Sequence, residues 1–184
     1  TGNIIRLLPQ QHDHMVMLDI GFIRSYISFF RNGNLHYARE IPIGGNHYTT
    51  ALTNAVFYDQ KSLQLTPEEA EVLKRHTNIF DTTDFSKDYH GIPYAEFAVM
   101  TRPVSERLIK EIQLSIDFYR DNFRFPSPNK IYLCGNASLL QGFQTYLSQN
   151  LKCAVSYLDW KACINLDASG RILTAVSYTH LTLP

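Results

Sequence analysis

The segment Val16–Tyr37, VMLDIGFIRSYISFFRNGNLHY, places a carboxylate, Asp19, and a glycine, Gly21, inside a pattern that is otherwise typical of buried strands. A carboxylate is seldom buried without a partner, because an apolar environment disfavours its charged form. The segment therefore predicts a sheet, and it raises the question of why its first strand ends in an acidic residue. A turn or capping role is the plainest alternative for Asp19.

Three apolar runs in and around this segment predict strands at Met15–Ile20, Ser25–Phe30 and Leu35–Ile41. The linker between the second and third runs contains Asn-Gly, which favours a tight hairpin because a type I′ turn needs positive φ angles at both central residues. The three strands are therefore predicted to form an antiparallel meander, which ends where Gly44 and Gly45 break the pattern.

Two later stretches carry clear helix signals. The stretch Thr66–His76 begins with a threonine that can act as a cap, a proline suited to the first turn, and Glu69, which completes a capping box. A second helix is predicted after Pro103 from apolar residues spaced three or four apart, namely Val104, Leu108, Ile112, Ile116, Tyr119 and Phe123. A further helix is predicted over Thr49–Tyr58, and the polar run 78–94 is predicted to be a loop.

The segment Lys130–Leu151 predicts a strand at Ile131–Leu133, a glycine turn and a helix capped by Ser138. A short strand, Ala154–Tyr157, follows. Strands, helices, a strand, a helix and a strand in this order predict an α/β domain rather than a helical bundle or a β-sandwich.

The amino-acid composition argues against several classes of protein, namely disordered, nucleic-acid-binding and membrane-spanning ones. Of the 184 residues 45% are hydrophobic and 18% charged, which favours a packed core over disorder. The formal net charge is zero and no Lys/Arg cluster occurs, so no nucleic-acid partner is predicted. The odd cysteine count, without metal-type spacing, favours a reducing cytoplasm, and no apolar run is long enough to predict a membrane span.

Three places in the sequence combine a turn with polar groups that suit a phosphate or a nucleotide. The first is Asp19 with Gly21 and Ser25, where glycine lets backbone N–H groups approach an anion and the carboxylate suits a Mg²⁺ ion held through water. The second is Gly135–Ser138, where a strand leads into a predicted helix start. The third is the pair Glu71 and Lys74, for which a solvated surface ion pair is the plain alternative.

The order and spacing of these motifs resemble the second half of the actin-like ATPases, across nearly all of Met15–Trp160. Within them the chain is most similar to the PilM family of type IV pilus assembly proteins, with the FtsA cell-division family second. The resemblance implies an actin-like, ribonuclease H-like lobe: a three-layer α/β/α arrangement with an inserted smaller α/β subdomain. It also implies ATP and Mg²⁺ as cofactors of the full-length protein.

The resemblance assigns roles to particular residues. The resemblance implies that Asp19 is the catalytic residue, facing Mg²⁺ and the attacking water at a cleft, which would explain why it ends its strand. The predicted nucleotide-binding residues are Gly21, Ser25, Gly44, Gly45, Glu71, Lys74, Gly135, Asn136, Ala137 and Ser138, with Gly142 completing the adenosine motif. Three residues depart from the family pattern: Phe22 and Arg24 stand where small or hydroxylated residues are usual, and Asn136 replaces a glycine.

The resemblance also implies a domain plan. A sheet-centred lobe is predicted over 10–45 and 100–175, with the smaller subdomain inserted at 46–99. Residues 176–184, VSYTHLTLP, match the translation of a DNA string that resembles a sequencing-library adapter, so we predict read-through there. The facing lobe, with the first phosphate loop, is expected to lie before this chain, and the chain alone is predicted to bind nucleotide weakly or not at all.

The predicted function is a cytoplasmic nucleotide-regulated scaffold of pilus assembly or secretion, at most a slow ATPase and held near the inner membrane through its partners. The expected partner is the cytoplasmic tail of a membrane pilus protein (PilN-like), and self-association is a further expectation. Three alternatives stay open: an FtsA-like division protein, a small-molecule kinase on the same fold, and a degenerate binding module that has lost nucleotide.

Overall fold

A computed structural model describes residues 14–158. Outside the described residues lie positions 10–13 and 159–175 of the predicted lobe and the predicted read-through segment 176–184. The elements are β1 (His14–Ile20), β2 (Ser25–Arg31), β3 (Asn34–Ile41), α1 (Gly45–Leu52), β4 (Val56–Tyr58), β5 (Lys61–Leu63), α2 (Pro67–His76), β6 (Asp88–Tyr89), β7 (Ile92–Pro93), α3 (Tyr94–Phe123), β8 (Lys130–Cys134), α4 (Phe143–Leu151) and β9 (Ala154–Tyr157).

Five strands form the main sheet in the order β3-β2-β1-β8-β9. The first three strands run antiparallel, whereas β8 and β9 add on the other side of β1 in parallel, so the predicted meander is confirmed and extended. Asn32 and Gly33 have φ angles of 49° and 73°, as the predicted type I′ hairpin requires. The mixed sheet with its helices confirms the predicted α/β class.

The buried side chains of all four described helices pack on one face of this sheet. Val16, Leu18 and Ile20 point to that face and share a single hydrophobic cluster with residues of α1 to α4. The opposite face carries a smaller buried cluster formed by Met15, Met17 and Phe30. Because side chains alternate along a strand, Asp19 belongs to this second face, away from the main core.

The first helix begins and ends earlier than predicted. The sequence pattern indicated a helix over Thr49–Tyr58, but α1 spans Gly45–Leu52 and the following residues form the β4–β5 hairpin. The hairpin turn places Asp59 and Gln60 at φ angles of 44° and 62°. The strand propensity of the β-branched and aromatic residues in Val56–Tyr58 explains why the helix does not continue.

The second helix follows its sequence signals. The Glu69 N–H donates to Thr66 Oγ1 at 3.2 Å and the Thr66 N–H donates to Glu69 Oε2 at 2.8 Å, which is the predicted capping box. Between α2 and α3 the chain is irregular, as predicted, apart from the two-residue strands β6 and β7.

The third helix begins nine residues before the predicted start at Pro103. It spans Tyr94–Phe123 and contains Pro103 in its interior, which removes one helical N–H donor. The helix continues through the proline because both sides of it are held by packing: Ala95, Phe97 and Ala98 are buried before it, and Leu108 and Ile112 after it.

The fourth helix starts later than predicted. Residues Asn136–Leu139 form a single 3₁₀ turn, and α4 begins only at Phe143, after Gly142 in the left-handed region at φ 78°. Ser138 is therefore not the cap of this helix. Among the described residues, no helix combines the length and the apolar composition that crossing a membrane requires.

Candidate functional site

The predicted site residues come from distant parts of the sequence, and they meet around Gly45 at the start of α1. A Cβ atom built on Gly45 would lie 3.0 Å from Ala137 Cβ, 3.7 Å from Lys74 Nζ and 3.8 Å from the Gly21 carbonyl oxygen. The loop after β1, the glycine pair after β3, helix α2 and the turn after β8 therefore converge on one place.

Asp19 and Gly135 lie side by side at the ends of neighbouring parallel strands. Asp19 is in register with Cys134, the last residue of β8, so Gly135 is the first residue beyond the sheet. A side chain on Gly135 would collide with Asp19 Oδ1 and would lie 2.5 Å from the Ile20 carbonyl oxygen. Gly135 also has a φ of 84°, so both space and backbone conformation require glycine here.

The Asp19 carboxylate accepts no hydrogen bond from any described residue. Its partial burial disfavours the charged form and raises its pKa above the usual value. The neighbouring Cys134 is half-buried, and this burial together with the nearby Asp19 charge raises the pKa of its thiol to about 12. Cys134 is therefore a neutral thiol at physiological pH and is unsuited to act as a nucleophile. Asp19 is therefore an acidic group without a described hydrogen-bond partner, near the C-terminal end of the central strand of the sheet.

The loop between β1 and β2 is fixed to the start of α1. The Gly45 N–H donates to the Gly21 carbonyl at 2.9 Å and the Asn46 N–H donates to the Phe22 carbonyl at 2.7 Å. A Cβ on Gly44 would lie only 2.6–2.7 Å from backbone atoms of this loop, so Gly44 allows the close approach. These bonds occupy the first N–H groups of α1, which shows that Gly44 and Gly45 hold the loop in position.

Two predicted hydroxyl ligands point into the protein. Ser25 is fully buried and its hydroxyl donates to the Ile43 carbonyl at 2.6 Å. The hydroxyl of Ser138, also buried, donates to the Gly135 carbonyl at 2.7 Å. In this arrangement both serines stabilise the turns on which they lie, and contact with a phosphate or adenosine would require these bonds to change.

Lys74 is buried and forms an ion pair with the half-buried Glu71, which contradicts the alternative of a solvated surface pair. Lys74 is only 3% exposed. Its ammonium donates to the Gly45 carbonyl at 3.1 Å, to Thr49 Oγ1 at 2.7 Å and to Glu71 Oε2. An ammonium has three N–H donors, so this set uses all of them.

Glu71 is held at both oxygens. Thr49 Oγ1 donates to Oε2 at 2.7 Å and Arg75 Nε donates to Oε1 at 2.8 Å. Burial on its own would raise the pKa of Glu71, but the hydrogen bonds from Lys74, Thr49 and Arg75 outweigh it and lower that pKa. Glu71 is therefore an anion fixed between two cations, and the bonds of Glu71 and Lys74 to Thr49 and of Lys74 to the Gly45 carbonyl tie α2 to α1.

The accessible side of the site is made of backbone and of residues that depart from the family pattern. Gly135 and Asn136 are exposed, and Ala137 and Gly21 are half-buried. Phe22 is 61% exposed, so its ring lies outside the loop instead of filling it.

Arg24, the second residue that departs from the family pattern, forms an ion pair with Glu40, because both Glu40 oxygens accept from Arg24 Nη1 at 2.9 Å. This ion pair is exposed and links the loop to β3.

Sequence reasoning missed two contacts that shape the site. Thr49, which bridges Lys74 and Glu71, has no motif that marks it, since its partners lie on another helix. The second contact is between Gly142 and Asn78: a Cβ on Gly142 would lie within 2.7 Å of the Asn78 carboxamide nitrogen. Gly142 thereby allows the end of α2 to pack against the turn that leads into α4.

The residues around Asp19 are compatible with the predicted Mg²⁺ ion. Mg²⁺ prefers oxygen ligands and commonly uses one or two carboxylates together with substrate phosphates and water. Asp19 supplies one such carboxylate, unpaired among the described residues, beside glycine backbone. Residues 14–158 contain no group of three or more His, Cys, Asp or Glu side chains suited to hold a metal by themselves.

Comparison with known structures identifies the fold. The chain is similar to PilM in a "PilM-PilN type IV pilus biogenesis complex", with a TM-score of 0.67 and 21% identity over 91% of this chain and 42% of that one. It is also similar to the ethanolamine utilization protein EutJ of Carboxydothermus hydrogenoformans, with a TM-score of 0.56 and 22% identity over 84% and 46% of the two chains. MreB5 of Spiroplasma citri bound to AMPPNP has a TM-score of 0.56 and 14% identity over 88% and 55%.

These neighbours establish an actin-like fold, as predicted. The chain spans about two fifths to just over half of the length of the three structures. No curated protein sequence gave a significant match. The sequence model of the family described as "Type IV pilus assembly protein PilM" matches residues 1–179. The chain therefore belongs to the PilM family of type IV pilus assembly proteins, which have an actin-like fold.

Proposed function

We propose that this chain provides one wall of an ATP-binding cleft in an actin-like scaffold protein of type IV pilus assembly. The observation that carries the proposal is the Asp19 carboxylate, which is without a described partner, in contact with the exposed backbone of Gly135. A polar group of this kind at the ends of neighbouring sheet strands is a common setting for a ligand site in α/β proteins.

In this proposal each residue of the site has a separate role. Asp19 holds a Mg²⁺ ion through water, and the ion neutralises charge on the nucleotide phosphates when it is bound. Gly135 and Asn136 offer backbone that can approach the nucleotide closely, since no side chain on Gly135 intervenes. Lys74, with all of its donors already used, keeps Gly45 and the loop after β1 in place and does not contact the nucleotide directly.

The proposed role of nucleotide is to set the angle between this lobe and the facing lobe, and thereby to regulate partner binding. The matched PilM structure contains PilN. By analogy, the proposed partner of the full-length protein is the cytoplasmic tail of a PilN-like membrane protein, which would place the scaffold at the inner membrane. Hydrolysis is proposed to be slow, with positioning and charge stabilisation as the catalytic contributions of these residues.

Calorimetric titration with ATP and Mg²⁺ tests the proposal. The full-length protein is expected to bind, and Asp19→Asn in it is expected to weaken binding by about tenfold or more, as loss of an interaction near 1.4 kcal/mol would do. Asp121→Asn, an exposed acidic residue on α3, is the matched control and is expected to bind normally. The present chain alone is expected to bind weakly; micromolar affinity in the chain alone would contradict the need for a second lobe.

A degenerate module that no longer binds nucleotide is the second candidate. It is favoured by the inward hydroxyls of Ser25 and Ser138 and by the full internal use of the Lys74 donors. For this candidate, ATP would not bind the full-length protein, and a PilN-like peptide would bind equally well with and without ATP. If ATP binds the full-length protein and Asp19→Asn leaves its affinity unchanged, the role assigned to Asp19 is wrong. The FtsA alternative is set aside, because the family match is to PilM.

A further inference from the structure

The turn between β1 and β2 presents two adjacent large apolar side chains to solvent, and the proposed nucleotide site does not use them. Phe22 is 61% exposed and Ile23 is 59% exposed. Single apolar residues are common on protein surfaces and need no explanation, whereas apolar side chains grouped in a patch often mark a contact with another surface. The pair is therefore a candidate contact surface.

The backbone of this turn is fixed, so the two side chains are held in their outward positions. The Gly21 N–H donates to the Arg24 carbonyl at 3.1 Å across the turn, and the Asn46 N–H donates to the Phe22 carbonyl at 2.7 Å. A Cβ atom on Gly44 would lie 2.6 Å from the same Phe22 carbonyl oxygen, so the start of α1 packs directly against the turn. A fixed turn loses little conformational entropy when another surface binds it.

The turn lies on the rim of the proposed nucleotide site. Ile20 follows Asp19 at the end of β1, and the turn begins with the next residue. A Cβ atom on Gly135 would lie 2.5 Å from the Ile20 carbonyl oxygen, so the exposed backbone after β8 touches the chain where the turn starts. A surface that faces Asp19 across a cleft would therefore also lie opposite Phe22 and Ile23.

The cation in this turn is already neutralised within the chain. Arg24 pairs with Glu40 at 2.9 Å, and the Tyr26 hydroxyl donates to the same carboxylate at 3.0 Å. The Arg24 charge is therefore not free for a phosphate group or for an anionic lipid headgroup. An apolar protein surface suits the exposed pair better than either of those ligands, because it buries Phe22 and Ile23 without leaving a charge unpaired.

We propose that Phe22 and Ile23 form an apolar contact with the facing lobe of the full-length protein. The inference rests on the proposed function in one respect, that this chain is one wall of a cleft between two lobes. The chain covers 42% of the PilM chain that it matches, so a protein of that length has more than half of its residues elsewhere to supply the opposite surface. The contact needs no ligand, because burial of apolar surface is favourable by itself. It joins the lobes with or without nucleotide, and ATP changes the angle between them about this contact.

Hydroxyl-radical footprinting of the full-length protein without nucleotide measures the contact. Phe85, in the loop between α2 and α3, is the matched control, because it is the same residue type and is 59% exposed in this chain. Phe22 is expected to be oxidised several-fold more slowly than Phe85. Equal rates would overturn the proposal. Protection of Phe22 that appears only after addition of ATP, of a PilN-like peptide or of phosphatidylglycerol vesicles would also overturn it, because the added component would then be the cover.

Substitution separates a contact between lobes from a role within this lobe. Phe22→Gln is expected to lower the unfolding temperature of the full-length protein by several degrees, because an apolar contact is replaced by a buried amide. The same variant of the present chain is expected to unfold at an unchanged temperature, because the side chain is exposed there. Phe57→Gln, at a position on β4 that is 74% exposed, is the control and is expected to be neutral in both proteins. An unchanged full-length protein, or an equal loss in the present chain, would contradict the contact.

Calorimetry with ATP on the same full-length protein keeps this inference separate from the proposed function. If ATP binds and Phe22 is oxidised as fast as Phe85, the nucleotide site stands and the apolar contact is wrong. If Phe22 is protected and ATP does not bind, the contact stands and the nucleotide site is wrong.

Discussion

The two sides of the candidate site differ in how their charged groups are satisfied. On the β1 side, Asp19 is a carboxylate without a described partner, and burial raises its pKa. On the α2 side, Glu71 and Lys74 are bonded to each other and to Thr49, and the net effect lowers the pKa of Glu71. An unsatisfied charge costs stability and is kept where a ligand can use it, whereas a satisfied network holds the structure together. The comparison assigns ligand chemistry to Asp19 and support to Lys74.

Removing the Lys74 ammonium is expected to cause the largest loss of stability. Lys74→Met keeps the length of the side chain but leaves Glu71, Thr49 and the Gly45 carbonyl without their donor. Breaking a buried ion pair from one side costs about 3–5 kcal/mol. Urea unfolding measures this loss, with Lys110→Met on the exposed side of α3 as the control. A free energy of unfolding equal to that of the control would mean that the α2 side is not a supporting network.

Adding a methyl group at Gly135 is expected to disturb the β1 side. Gly135→Ala forces a side chain into the left-handed region and against the Asp19 carboxylate, at a cost of about 1–3 kcal/mol. The cost is expected to fall in an Asp19→Ala background, because one of the colliding groups is then absent. Equal costs in the two backgrounds, measured by urea unfolding, would show that Asp19 does not contact Gly135.

Removing the Thr49 hydroxyl is expected to weaken the α2 side by about 1–2 kcal/mol, the effect of losing a buried hydrogen-bond partner. Thr49→Val keeps the shape of the side chain, and Thr49→Ser keeps the hydroxyl and is expected to stay near the unmodified stability. Because the folded-state pKa of Glu71 is lowered, the ionised Glu71 stabilises the folded state at pH values above its unfolded-state pKa. This stabilisation is lost as the pH falls through the folded-state pKa.

The same threonine variants are expected to differ in how stability depends on pH. Thr49→Val removes one of the bonds that lower the pKa of Glu71, so it is expected to lose less stability than Thr49→Ser on acidification. Unfolding measured from neutral pH down through the range where carboxyl groups titrate provides the comparison. If the free energy of unfolding depends on pH identically in the two variants, the Thr49 hydroxyl does not affect the pKa of Glu71.

The smallest expected effect is a gain in stability from Asp19→Asn. Because the folded-state pKa of Asp19 is raised, the native state is penalised when this group ionises, and the penalty grows as pH rises from the unfolded-state pKa through the folded-state value. The asparagine variant is therefore expected to unfold at a higher temperature than the unmodified chain at neutral pH. The difference is expected to disappear below the ordinary pKa of an aspartate. A loss of stability at neutral pH would mean that Asp19 has a structural partner.

Local sequence signals predicted those elements whose cause is local. The Asn32-Gly33 hairpin and the Thr66 capping box depend on backbone angles and hydrogen bonds within a few residues, and both are confirmed. The start of α3 and the start of α4 were predicted wrongly, because packing on both sides of Pro103 overrides its tendency to end a helix and Gly142 delays the fourth helix. The same holds for the candidate site. Its motifs could be recognised in the sequence, but the hydrogen-bond partners of each side chain could not.

By itself, the sequence determined which groups could form a site, because the types and the order of Asp19, Gly45, Lys74 and Gly135 are chemical facts about the chain. Only the tertiary structure decided which of them are still free to meet a ligand. The hydrogen bonds of Lys74 and both serines are made within the protein, whereas Asp19, near the end of its strand, accepts no hydrogen bond from a described residue. The reason is that hydrogen-bond satisfaction depends on neighbours in space, and the fold supplies those neighbours.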